Sequence, residues 1–515
     1  MDDFAFIFAI SCAIIALIYA CKFLNWIWIR PKKLEKFLRQ QGFNGNSYKL
    51  FHGDSTEMKA ATKEAMSKPI NFSDDILPRV TPIYHKALHK YGEKCFVWVG
   101  PRPTLVILDP EIIREMLLKN YDFHKPPGSP FDRQIANGLS SLEADKWAKH
   151  RKLLNPAFHL DKLKHMVPSF YLSCGEMLSK WDEIVGNEGC CEVDVWPHLL
   201  TMTSDVISRT AFGSSFEEGR KISQLQKKQA QRVMEENSSV NIPGYRFLPT
   251  KANRKTRQTT KEIESLVMGI INKRMKATEG SADDLLGLLL ESNLKEMRHL
   301  GNESGMSIKE VIEECKIFYF AGHETVASLL VWTMILLSKH DDWQARARDE
   351  VLQLFGRGKP DYQKLNHLKI VSMIFQEVLR LYPPAAVLDR FVEKEMTVGK
   401  KVRLPAGVKI ALPVILSHQD CKIWGDDARE FKPERFGDGV SKAGAGWGPQ
   451  PAYIPFGWGP RICIGQNFAM LEAKIAMAMI LQRYSFQLSP SYSHAPRSVI
   501  TLQPQHGAHL ILTKL

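Results

Sequence analysis

The run Ile317–Leu337, IFYFAGHETVASLLVWTMILL, constrains this chain more than any other stretch. It is apolar almost all round, and by length alone it could cross a bilayer. At its centre, however, stand Gly322, His323, Glu324 and Thr325, and ionisable groups are expensive in lipid. Upstream, Ser307 and Glu310 form a capping box that starts a helix. These facts together predict a long helix buried through the middle of a large globular domain, and a chain of 515 residues can supply one.

The polar centre of that helix has a chemical logic. Thr325 can bond back to the carbonyl of Ala321 and open the helix for a water. Gly322, lacking a Cβ, would let a planar ligand approach the backbone. The plain readings are a packed β-branched residue for Thr325 and the partner of a nearby base for Glu324. An acid next to an alcohol is also suited to delivering protons one at a time.

A second stretch carries the most specific pattern. Cys463 sits in a loop punctuated by glycine and proline, from Pro455 to Gly465, followed by a helix-like run, Phe468 to Leu481. Backbone N–H groups, the N-terminal end of that helix and the Arg461 guanidinium would all favour thiolate over thiol, and thiolate is the form that binds metal. Most lone cysteines in intracellular proteins are inert packing residues. Here, though, the spacing of Phe456, Gly459, Arg461, Cys463 and Gly465 resembles the haem-binding loop of the cytochrome P450 monooxygenases, in which the cysteine is the axial ligand of haem iron.

Weaker motifs stand in the order that family would require. Trp147 and Arg151 are four apart on a helix and match its propionate-binding pair. Ala321, Gly322, Glu324 and Thr325 match its acid–alcohol pair, which relays protons so that dioxygen is split productively. Glu377 and Arg380, three apart before Pro383 and Pro384, match two members of a buried Glu–Arg–Arg network, and Arg435 matches the third; an exposed pair of this kind would contribute almost nothing. Arg390 aligns with a further propionate ligand. His418 reads either as a propionate contact or as a core histidine. No metal-ligand spacing supports His323 or His418.

The resemblance covers nearly the whole chain. It implies a mainly α fold with a smaller β-rich lobe, haem b as cofactor, and insertion of one oxygen atom from O2 into a C–H bond. Electrons would come from NADPH through cytochrome P450 reductase, and Lys146, Lys149 and Lys152 would suit docking of that acidic partner.

From Phe4 to Cys21 the chain carries no charge, and Trp26 and Trp28 follow as interfacial aromatics. Asp2 and Asp3 precede this run, whereas Lys22, Arg30, Lys32, Lys33, Lys36 and Arg39 follow it, so the remainder is expected on the cytosolic side of the endoplasmic reticulum membrane. A signal peptide would want a basic start and a shorter apolar core. The expected division is an anchor over residues 1–29, a basic linker over 30–60 and a catalytic domain over 61–515. The net charge of +13 suits a bilayer surface, and nothing points to nucleic acid. The nine cysteines contain no Cys-x-x-Cys, which argues against a zinc site or disulfide framework.

RPKKLEKFLRQQGFNGNSY closely resembles the plant seventy-two group of these monooxygenases, whose members oxidise bulky terpenoids. A hydrophobic triterpenoid is the favoured substrate, with iridoids, gibberellin-like diterpenes or steroids as alternatives. An apolar wall at Ala385, Ala386, Val387 and Leu388 suits all of them. A haem-thiolate isomerase or lyase, or a non-enzymatic haem protein, would have less use for Glu324 and Thr325.

Overall fold

The computed structural model describes residues 2–127, 135–213, 216–237, 248–276, 284–301, 304–399, 402–443 and 452–515. The helix predicted from the capping box spans Ile308–Leu337, with Ser307 and Glu310 capping it reciprocally. It is buried along most of its length. Around it pack Val195–Phe212, Lys369–Leu381 and Gln466–Arg483, with Leu160–Val185 lying outside the first and the last of these, so it is the axis of the main apolar core.

The smaller lobe is a five-stranded sheet in the order Cys95–Val99, Arg102–Val106, Lys409–Leu412, Leu388–Val392 and Phe123–His124. The first two strands form a hairpin around the turn residues Gly100 and Pro101, with Phe96 opposite Leu105 and Trp98 opposite Pro103. Leu388–Val392 carries Arg390 into the sheet, opposite Ile410. Asp109 caps the next helix, Pro110–Leu118, by accepting the N–H groups of Glu111 and Ile112.

Two parts differ from expectation. Cys190–Asp194, inside the stretch 160–295 whose sequence pattern is mainly helical, is a strand paired with His509–Lys514. It lies at the edge of its sheet, where little alternation is imposed on the sequence.

The stretch expected to be a basic linker is folded onto the lobe. Asp2–Leu24 passes through a π-turn, Asn25–Ile29, into a second helix, Arg30–Gln40, that buries Pro31, Leu34 and Leu38. Glu35 holds Lys32 and Arg39 at 3.0 Å, and it accepts the Tyr48 N–H. The Tyr48 hydroxyl donates to the Ile27 carbonyl at 2.8 Å. Leu34 and Leu38, spaced at i and i+4 among the charges, make the face that docks. Before this junction the N-terminal helix is long and apolar enough to cross a membrane, and its large side chains from Phe4 to Leu24 are exposed.

Candidate active site

Accessible surface reaches the interior at the central helix and at the cysteine loop. On the otherwise buried central helix Ala321 is exposed and Thr325 half-buried, one turn apart on one face. Cys463, although enclosed by the chain, also has an open side chain. Phe318 of the central helix meets Phe158 edge-on at 5.7 Å, and Phe158 lies beside Gly465. Thr325 and Cys463 therefore stand on neighbouring walls of the interior.

The Cys463 loop is shaped largely by its own backbone. The Cys463 N–H donates to the Phe456 carbonyl at 2.9 Å, and the Ile462 N–H to the Gly459 carbonyl at 3.0 Å. Gly459 has φ +71°, and a Cβ there would stand 2.6 Å from the Leu117 carbonyl oxygen, so only glycine lets the loop lie against Pro110–Leu118. His418 turns out to be a core histidine. Its Nε2 accepts the Ile454 N–H at 3.0 Å, just ahead of the loop, and burial beside Arg380 pushes its pKa down to about 3.

Arg461 departs from its expected role of favouring the thiolate. It donates to the Glu143 carboxylate at 2.6 Å and the Leu142 carbonyl at 2.8 Å, and its guanidinium lies over the Trp147 ring. The cation that acts on the sulfur is Arg151, which donates to the Ile462 carbonyl at 2.8 Å. Burial pushes the Cys463 thiol up, against the Gly465 N–H and Arg151. Desolvation disfavours the charged form, and one amide and one guanidinium work against that effect.

Above this loop positive charge is in surplus. Burial, with Arg461 nearby, pushes the Arg390 guanidinium down to about 10, and among the described residues it donates to its neighbour's carbonyl, that of Asp389, at 2.9 Å. Burial and the charges of Arg390 and Arg461 push Lys125 down to about 7. Glu143 bonds to Arg461 and to the Lys125 N–H, while Asp389 is engaged by Lys409 at 2.8 Å. Among the described residues Lys125, Arg390 and Arg461 share one carboxylate, that of Glu143, which leaves a surface fitted to a ligand with two carboxylates. Lys125 was missing from the sequence reading, since a lone lysine after a strand carries no motif.

The carboxylate of Glu324 accepts the Thr501 hydroxyl at 2.8 Å, and among the described residues no cation pairs with it. The Thr325 hydroxyl donates to the Ala321 carbonyl at 2.7 Å, the back-bond its sequence suggested. Gly322 has a different reason for its lack of a side chain. A Cβ would come within 2.6 Å of Ile207 Cδ1, so the glycine admits the neighbouring helix, Val195–Phe212, rather than a planar ligand. His323 Nδ1 lies 2.5 Å from the Tyr319 carbonyl, and the described residues hold no cluster suited to a bare metal ion.

On the far side of the loop the three-residue ion network is assembled. Arg380 and Glu377, each 0% exposed, form a bidentate pair with both contacts at 2.7 Å. Arg435 approaches Glu377 at 3.5 Å and Asp427 at 2.5 Å. Arg380 also donates to the carbonyls of His418, Ala428 and Glu430. The lysines expected to dock a partner are partly spent within the chain, for Lys146 pairs with Glu310 at 2.8 Å and Lys152 with Glu296 at 2.7 Å.

A long central helix with an open threonine, a β-rich lobe carrying a cationic surface and a cysteine loop beside it define a haem-thiolate type of architecture. The comparisons agree with it. The family model of cytochrome P450 matches residues 79–510, and the chain belongs to that family. It is 58% identical over 510 residues to cytochrome P450 CYP72A219 of Panax ginseng, covering 98% of each chain. It is 53% identical over 496 residues to cytochrome P450 72A15 of Arabidopsis thaliana, covering 96% of this chain and 95% of that one. The similarity to the seventy-two group therefore holds over nearly the full length. Among solved structures, the retinoic acid-bound cyanobacterial CYP120A1 superposes with a TM-score of 0.74 at 24% identity, covering 85% of this chain and 96% of that one, which establishes the shared fold. The protein is thus an oxidoreductase of the cytochrome P450 monooxygenase family, whose members hold haem iron.

Proposed function

We propose that this chain is a membrane-anchored monooxygenase that inserts one oxygen atom from O2 into a C–H bond of a bulky hydrophobic terpenoid, a triterpenoid in the first place. Electrons would reach it from NADPH through cytochrome P450 reductase. Residues 1–29 would anchor it in the endoplasmic reticulum membrane with the catalytic domain cytosolic. The observation that carries the reading is that Cys463 and Thr325 both keep accessible side chains, on a loop and a helix joined through Phe158 and Phe318.

In this reading haem b supplies reductive activation of dioxygen, and a thiolate ligand favours O–O cleavage. Cys463 would ligate the iron, whose charge favours the thiolate. Arg390, Arg461, Lys125, Trp147 and Arg151 would hold the propionate side, the surplus of cations being the feature that fits it. Phe456 anchors the loop through its carbonyl, while Gly322 sets the spacing of the helix beside the pocket. Thr325 would pass protons into the site, and Glu324 would supply them from the protein side.

Ala386 is buried with its carbonyl accepting the Ile415 N–H, whereas Ala385, Val387 and Leu388 keep partial exposure. Together with the similarity to the seventy-two group, this apolar wall supports a large, rigid hydrocarbon scaffold. Microsomes containing the chain and a reductase, given a panel of triterpenoids, diterpenes, iridoids and steroids, are expected to show the strongest substrate-induced shift of the haem spectrum, and an NADPH-dependent hydroxylated product, with a triterpenoid. Product formation only from another class would replace the triterpenoid assignment. Arg390→Ala is expected to lower the haem retained per polypeptide severalfold, with Arg390→Lys keeping most of it; equal retention in both would remove Arg390 from the propionate site.

A further inference from the structure

The C-terminal hairpin reaches across the molecule to the acid of the central helix. Strands Pro496–Ser498 and Leu502–Pro504 pair antiparallel and leave Val499, Ile500 and Thr501 as their turn. Thr501 Oγ1 donates to the Glu324 carboxylate at 2.8 Å, with Thr501 4% and Glu324 8% exposed.

The position of that turn is fixed independently. The Ser328 hydroxyl and the Trp332 indole N–H both donate to the Leu502 carbonyl, at 2.5 and 3.0 Å. The Leu502 N–H donates to the Pro384 carbonyl at 3.0 Å. Glu324, Ser328 and Trp332 follow at intervals of four, a single stripe of the helix that grips two adjacent residues of the hairpin. Thr325 lies on the next face, bonded to Ala321.

The acid and the alcohol therefore belong to different environments, and the acid's described hydrogen-bond partner is a hydroxyl. A buried ion pair would lock a carboxylate in place, because separating it strands two charges; one hydroxyl orients a carboxylate and still lets it turn. Half-buried Ile500, beside Thr501 in the same turn, packs on the main core.

We propose that Thr501 is a positioning residue for Glu324: it sets where the carboxylate stands relative to Thr325, and so ties proton delivery to the C-terminal hairpin. The inference rests on the reading of Glu324 and Thr325 as the proton-delivering pair.

The test uses the full chain in microsomes with reductase and the panel member that gives the largest spectral shift. Thr501→Val keeps the shape and removes the hydroxyl, whereas Thr501→Ser keeps the hydroxyl. Thr501→Val is expected to bind that probe within about twofold of the parent while product per NADPH falls severalfold and peroxide release rises. Thr501→Ser is expected to stay near the parent, and Thr501→Val combined with Glu324→Gln to be no worse than Glu324→Gln alone.

A second readout is independent of turnover. The infrared carboxylate band that disappears in Glu324→Gln is expected to shift in Thr501→Val and to return in Thr501→Ser. If Glu324→Gln itself leaves product per NADPH unchanged, the acid–alcohol reading fails, and an unmoved band would then overturn the positioning role as well. If Glu324→Gln uncouples but Thr501→Val does not, or if the two losses add in full, the positioning role is overturned and the acid–alcohol reading stands.

Discussion

Replacing Glu377 by alanine is expected to remove most of the folded protein. The carboxylate forms a bidentate pair with Arg380, accepts the Lys432 N–H at 2.9 Å and attracts Arg435, all where Glu377 and Arg380 have no exposure. Taking it away strands the Arg380 guanidinium in the core, with backbone carbonyls as its remaining acceptors. Breaking a buried pair from one side costs about 3–5 kcal/mol. That is a large share of the roughly 5–15 kcal/mol by which domains are stable. The loss would spread to the cysteine loop, because Arg380 also holds the His418 carbonyl and His418 accepts the Ile454 N–H ahead of the loop. Thermal unfolding of the membrane-solubilised protein and the yield of haem-loaded chain measure the effect. A melting temperature like the parent's would show that the network contributes little.

Cys463→Ser is expected to have the opposite profile, a folded chain without function. The Cys463 side chain is open rather than packed, and its N–H bond to Phe456 does not depend on the side chain. Substitutions without a packing, capping or network role usually change stability by about 0.5 kcal/mol or less. Serine at this position is a far weaker ligand than a thiolate, so haem retention should drop and oxygen insertion fall below detection. A chain that still folds, melting lower only by the stabilisation the bound haem would add, with lost activity, would separate this variant from Glu377→Ala. A Cys463→Ser protein that turned over like the parent would remove Cys463 from the reaction.

Much of this site was legible because its residues lie close together in sequence. The capping box at Ser307, the Thr325 back-bond and the Asp109 cap follow from local rules, and the structure shows each of them. The Glu377–Arg380 pair was legible in part, since spacing put the two on one face while burial came from a distant motif at Arg435. What sequence could not show are contacts made by tertiary packing. Arg461 turned to Glu143 because a loop far upstream in sequence brought an acid to it. Gly322 answers to Ile207 on another helix, and Glu324 answers to Thr501 near the chain's end. The helix Arg30–Gln40 was misread because its few apolar residues are diluted by lysine and arginine, although their spacing is helical. The Pro/Gly/Ser-rich stretch from His124 to Glu143, which the family resemblance would place over the pocket, falls partly at residues 128–134, and the apolar loop from Ile242 to Pro249, read beside the basic run after it as a second membrane contact, falls mostly at 242–247, outside the described residues.

The central claim is that Cys463 ligates haem iron as a thiolate in a site that the surrounding cations hold. The absorption spectrum of the dithionite-reduced carbon monoxide complex, taken on full-length protein and on Cys463→Ser, tests it most directly. The account predicts the thiolate-type band in the parent and its loss in Cys463→Ser, with both proteins folded. The same thiolate-type band in the two proteins would contradict it.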